Sequence, residues 1–200
     1  LLASSAASDV YKRQIIRSKN AQEVIDTAKA LVEGGIKIME INVESVEVYR
    51  AIEEVSKFAV VCAGGIITSL QADTALAAGA QVFSSPIFHM NLVKISKDRR
   101  IPFIAGASTP NEAYKAWKAR IPLIKLYPVT AMGGVLYVED ILRPMPFLKI
   151  LPQGNVKLNE VKAYIDAGAY AVGVGRDFYE GHSYSEITAR AKNIVSELKG

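Results

Sequence analysis

The chain has 200 residues, half of them hydrophobic, and a formal net charge of +4. That length favours one domain with a sizeable core, the scattered Lys and Arg form no basic block of the kind that grips nucleic acid, and no apolar run approaches a membrane span. The single cysteine, Cys62, and two distant histidines, His89 and His182, exclude an internal disulfide framework and give no support to a metal site, so the expectation is a soluble, cytoplasmic protein without a cofactor.

Leu1 to Ser8 lacks the starting Met, basic flank and long apolar stretch of a signal peptide. Asp9-Val10-Tyr11-Lys12-Arg13-Gln14 reads like a translated sequencing adapter. Residues 1–14 are therefore expected to be a non-native leader whose removal changes little. The domain is expected to span 15–200, with Ile15-Ile16-Arg17 the remnant of a first strand.

Asn20, followed by Glu23, resembles a capping box that starts a helix. Its apolar face is Ala21, Val24, Ile25, Ala28, Leu31 and Val32, at helical spacing. Strands are predicted at Ile36 to Ile41, Phe58 to Cys62, Gln81 to Ser84, Phe103 to Ala105, Leu123 to Tyr127, Phe147 to Leu151 and Tyr170 to Val174. Thr109-Pro110-Asn111-Glu112 opens another helix with proline at its first position. Ala113, Ala116 and Trp117 on one face of that helix read as core.

A helix, a glycine and an apolar strand recur around Gly34, Gly79 and Gly168. Those glycines fall near multiples of about 22 residues, the size of a compact strand-helix unit. Ile15 to Gly200 then holds about eight units, which predicts an α/β fold with a parallel sheet closed as a compact (β/α)8 TIM barrel, its first strand incomplete. An open doubly wound sheet is the alternative, but its Gly-rich dinucleotide fingerprint is absent after the first strand.

Chemistry in such barrels sits at the C-terminal ends of the strands. Glu40, Gly64-Gly65, Ser84-Ser85-Pro86, Gly106, Lys125, Gln153-Gly154-Asn155 and Gly175-Arg176 all fall there. Two readings stand for Lys125: it closes its strand with the ammonium in solvent, or burial disfavours its charge and frees the amine to attack a ketone. Glu40 is either a solvated rim charge or the group that moves the protons of Schiff-base chemistry. The last two glycine-containing loops occupy the usual phosphate position of these barrels, where backbone N–H groups bind an anion. Arg176 either adds charge there or faces solvent. Cys62 reads as a small core residue. His89 and His182 read as surface or helix-start residues.

Taken in order, the blocks ending at Glu40, Cys62-Ala63-Gly64-Gly65, Ser85-Pro86, Ala105-Gly106-Ala107-Ser108-Thr109-Pro110-Asn111-Glu112, Ile124-Lys125-Leu126-Tyr127-Pro128 and Ala171-Val172-Gly173-Val174-Gly175 resemble the class I KDPG/KHG aldolases. The resemblance implies an aldehyde-lyase that cleaves 2-keto-3-deoxy-6-phosphogluconate or 4-hydroxy-2-oxoglutarate and assembles as a homotrimer. It implies a pyruvate imine on Lys125 and proton transfer by Glu40. Substrate contacts are expected from Arg17, Gly64, Gly65, Pro86, Gly106, Gly154, Asn155, Gly175 and Arg176. The chain departs from the family pattern in its cradle. Gly65 replaces Thr, Asn42-Val43-Glu44-Ser45 replaces an Arg-bearing stretch, Pro152-Gln153-Gly154-Asn155 replaces Pro-Thr-Gly-Gly, Arg176 replaces Ser, and Val129-Thr130 replaces the Glu that follows Lys-x-x-Pro. A phosphate-binding barrel isomerase and a non-catalytic trimeric barrel are the other two readings.

Overall fold

Among the described residues, eight short parallel strands follow one another along the chain. They are β1 (Lys12–Ile16), β2 (Ile38–Asn42), β3 (Val60–Gly64), β4 (Val82–Ser84), β5 (Phe103–Ala107), β6 (Leu123–Leu126), β7 (Ile150–Pro152) and β8 (Val172–Val174). The structure, a computed structural model, describes residues 12–197. The strands follow one another in the order β7-β6-β5-β4-β3-β2-β1-β8. A parallel bridge between Gln153 and Gly173 joins the two ends of that order. The Tyr170 N–H also donates to the Ile150 carbonyl at 2.9 Å. The wall is thus a (β/α)8 barrel, and the open doubly wound sheet is excluded.

The helices start where the sequence places their caps. α1 (Ala21–Glu33) begins at Asn20, whose side chain accepts from the N–H groups of Gln22 and Glu23. The expected box does not close there, because Glu23 instead accepts from the Ser18 hydroxyl at 2.6 Å. α2 (Glu47–Val55) and α3 (Ser69–Ala77) follow β2 and β3. α4 (Met90–Arg99) is capped by His89, whose Nδ1 accepts from Asn91 N–H at 3.2 Å. α5 (Pro110–Lys118) has the complete Thr109–Glu112 capping box. Beyond β6 come α6 (Val129–Met132) and α7 (Val135–Leu142), then α8 (Val161–Asp166), α9 (Arg176–Tyr179) and α10 (Tyr184–Glu197).

Trp117 departs from its expected place in the core. Ala113 and Ala116 are fully buried, but Trp117 is 42% exposed. It stacks on Tyr114 at 5.7 Å and meets Phe147 at 4.6 Å between ring centroids. The helix face is one residue narrower than the spacing suggests, and the indole shelters against neighbouring rings instead.

Register decides what faces the barrel axis. Paired residues of parallel strands share a face, and the pairs Ile15–Glu40, Glu40–Cys62, Gly106–Lys125 and Lys125–Leu151 place these residues inside together. Cys62, Ile104, Leu151 and Ala171 pack into an apolar plug with Val82, Leu123 and Tyr170. The alternate residues, such as Met39, Ile41, Phe83 and Phe103, form the larger core between strands and helices.

The first strand extends upstream of Ile15. β1 begins at Lys12, and Lys12, Arg13 and Gln14 pair with Val172, Gly173 and Val174. Gln14 is buried, and its Nε2 donates to the carbonyls of Val174 at 2.6 Å and Gly175 at 3.2 Å. Residues 12–14 thus complete the first strand. Residues 1–11 of the expected leader lie outside the described residues. Deleting residues 1–14 is expected to strip β8 of this partner and lower the melting temperature by roughly 5 °C or more. An unchanged melting curve would show that β8 holds without it.

Candidate active site

Lys125 and Glu40 meet inside the barrel, above the apolar plug. Lys125 Nζ lies 3.0 Å from Glu40 Oε1, with side chains 3% and 0% exposed. They belong to β6 and β2, which are not neighbours in the sheet, so the contact spans the barrel interior. The solvated reading of each residue is therefore overturned. A lysine inside an apolar strand is tolerable because an opposing carboxylate and further hydrogen bonds compensate its desolvation; removal of one member of such a pair typically costs about 3–5 kcal/mol.

Two carboxamides converge on the same carboxylate oxygen. Gln153 Nε2 donates to Glu40 Oε1 at 3.4 Å. Asn42, with its amide oriented by its hydrogen-bond partners, donates from Nδ2 to Glu40 Oε1 at 3.1 Å and accepts from Arg17 Nε at 3.0 Å. Gln153 Oε1 is buried and has no hydrogen-bond partner. Gly64 is needed beside this group because a Cβ there would collide with the Asn42 carboxamide and Glu40 Oε1. Gly106 is needed on β5, where the Pro86 carbonyl occupies the space of a side chain.

A cavity of about 310 Å³ opens outward from Gln153. Its lining includes Arg17, Gly154, Asn155, Gly175 and Arg176. Five of the expected contact residues are thus gathered at the mouth, near the ends of β1, β7 and β8. Gly64, Gly65, Pro86 and Gly106 do not line it. Gly65 stands in open space at φ +73°, a conformation that a β-branched threonine would adopt only with strain.

Three cations reach this cavity, and two of them face carboxylates. Lys157 Nζ bonds Asp177 Oδ1 at 3.0 Å, and Arg176 Nε lies 4.0 Å from Glu180 Oε2. Arg176 is 62% exposed, so its charge is well screened. Among the described residues, Arg17 forms no ion pair in reach of the cavity; its Nε bonds the neutral Asn42 oxygen. Its backbone N–H donates to the Tyr179 hydroxyl at 2.9 Å, and that hydroxyl donates to the Arg17 carbonyl at 3.0 Å.

Asp177 ties the loop after β7 to α9. Its Oδ2 accepts from Leu158 N–H at 2.9 Å. Burial pushes its carboxyl up, but the Leu158 N–H and the Lys157 ammonium outweigh burial and hold the pKa below its ordinary value. A depressed carboxyl pKa stabilises the fold above the unfolded pKa, and that stability disappears as pH falls through the folded value. Asp177→Asn is therefore expected to lower stability near neutral pH by on the order of 1 kcal/mol. The gap from the parent should close in acid, as measured by thermal melts across pH; a constant gap would contradict this.

Gln14, Asn42 and Gln153 were not among the expected contact residues, yet each holds part of the site. Two of them carried a readable signal. Asn42 lies two residues beyond Glu40 on a strand, and strand alternation puts both on one face. Gln153 stands two residues beyond Leu151, the register partner of Lys125.

The sequence pattern of KDPG and KHG aldolase matches residues 11–190. The chain belongs to the KDPG and KHG aldolase family. The 2-dehydro-3-deoxy-phosphogluconate aldolase of Dickeya dadantii is 30% identical over 190 residues, covering 91% of this chain and 89% of that protein. The KHG/KDPG aldolase of Escherichia coli K12 is 28% identical over 193 residues, covering 92% and 91%. A crystal structure of the 2-keto-3-deoxy-6-phosphogluconate aldolase of Zymomonas mobilis ZM4 with 3-phosphoglycerate superimposes with a TM-score of 0.88 at 19% identity, covering 98% and 96%. Inside the barrel of this family member, the Lys125–Glu40 pair sets an amine against a carboxylate away from solvent.

Proposed function

We propose that this family member is a class I aldolase that cleaves a 2-keto-3-deoxy sugar acid phosphate to pyruvate and a phosphorylated aldehyde. The observation that carries the reading is the 3.0 Å contact between Lys125 Nζ and Glu40 Oε1 inside the barrel. The neutral lysine nitrogen adds to the C2 ketone, water leaves, and an iminium forms. A base takes the C4 hydroxyl proton, the C3–C4 bond breaks, and its electron pair flows into the iminium as an enamine. The aldehyde departs, C3 is protonated, and hydrolysis of the imine releases pyruvate. Glu40 is placed to move these protons. Gln153 Oε1, a buried acceptor without a partner, suits a hydroxyl of the substrate.

The aldehyde half is assigned to the outer cavity. Gly154, Asn155 and Gly175 offer backbone there, and Arg17 and Arg176 supply charge. This arrangement favours a terminal phosphate over the shorter carboxylate of 4-hydroxy-2-oxoglutarate. Pyruvate release from both substrates tests the assignment. The phosphorylated substrate is expected to have the higher kcat/KM, and Arg17→Ala is expected to reduce that advantage by tenfold or more, the order of a charge-assisted contact. Equal loss for both substrates would remove the phosphate from this cavity.

Family membership also supports a cytoplasmic homotrimer in carbohydrate metabolism. Exposed Ile67, Leu70, Ile87 and Met90, on the segments following the adjacent strands β3 and β4, supply an apolar surface for subunit contact.

A further inference from the structure

Resting on the aldolase reading, we infer that Asn42 couples the anion site to the base: an anion bound at Arg17 makes Glu40 a stronger proton acceptor. The path is short and continuous. Arg17 Nε donates to Asn42 Oδ1 at 3.0 Å, and Asn42 Nδ2 donates to Glu40 Oε1 at 3.1 Å. Asn42 is 6% exposed and Glu40 fully buried, whereas Arg17 reaches the cavity. The three residues thus run from solvent to the barrel axis. Gly64 leaves the room that lets Asn42 and Glu40 lie together.

The sign follows from how an amide transmits charge. A guanidinium on the carbonyl oxygen of Asn42 polarises the amide and strengthens donation from its Nδ2, since linked hydrogen bonds reinforce one another. Stronger donation stabilises the Glu40 carboxylate and makes it a weaker base. An anion on Arg17 offsets the guanidinium charge or draws Arg17 off Asn42. Either change weakens donation to Glu40 and raises its basicity. Asn42 is thus a positioning residue that makes proton transfer fastest when the phosphate end of the substrate is seated.

Pyruvate and inorganic phosphate separate the two halves of the substrate. On the Lys125 imine, a base exchanges the pyruvate methyl protons, so deuterium uptake from D2O reads proton transfer without carbon–carbon cleavage. Phosphate saturating each protein, as determined by calorimetry, is expected to accelerate exchange by roughly two- to fivefold in the parent. The acceleration should vanish in Asn42→Leu, and also in Asn42→Asp, which can pair with Arg17 without donating to Glu40. Acceleration that persists in both variants overturns the inference. So does loss of phosphate binding in both, which would make Asn42 an organiser of Arg17 alone. Exchange in the parent that phosphate leaves unchanged overturns the coupling but not the aldolase reading. No exchange at all overturns both.

Discussion

Lys125→Arg is expected to abolish turnover, with activity falling by at least about four orders of magnitude. A guanidinium remains protonated at any working pH and cannot add to a ketone, so the covalent route is closed rather than slowed. Arginine is the informative replacement because it keeps a cation opposite Glu40. Alanine would strand a buried carboxylate and confound lost chemistry with lost stability. Residual cleavage of the 2-keto substrate at more than about one percent of the parent rate would show that the imine forms elsewhere.

Glu40→Gln is expected to leave imine formation possible and to slow proton transfer by roughly a hundredfold or more. The amide keeps the shape of the carboxylate but accepts no proton. It also removes the negative charge facing Lys125 at 3.0 Å, so melting curves should accompany the rates and activity should be referred to folded protein. Unchanged turnover in a folded Glu40→Gln variant would pass the proton to another group or to water.

Glycine punctuation around Gly34, Gly79 and Gly168 revealed the repeating unit, and the barrel followed from counting units. Glu40 and Lys125 stood out as charges in apolar strands, but a solvated reading stood for each, and their paired roles came from the family resemblance. The spacing alone did not say that they touch. Their contact depends on closure of the sheet, which brings β2 and β6 across one interior, and closure is a property of all eight strands together. Strand alternation placed Asn42 on the face of Glu40, but its part in the site shows only once a carboxylate and a guanidinium are found on either side of it. Gln14 was missed for a different reason. Its segment has the composition of a leader, yet backbone pairing in a parallel sheet asks little of side-chain identity, so Lys12 to Gln14 form a strand all the same. Trp117 shows the limit of helical periodicity, which locates a face but not how far the neighbouring elements cover it.

Arg176 illustrates how structure reorders a reading without removing it. It lines the cavity as expected, but Glu180 and solvent share its charge. Arg17, just past the end of β1, holds its guanidinium against a neutral oxygen and is the stronger candidate for the anion.

The most direct test of the account is borohydride reduction in the presence of pyruvate, followed by peptide mass mapping. Reduction converts a pyruvate imine into a stable secondary amine. One modified lysine is expected, Lys125, with no adduct in Lys125→Arg. An adduct on another lysine, or a protein that stays unmodified while cleaving substrate, would contradict it.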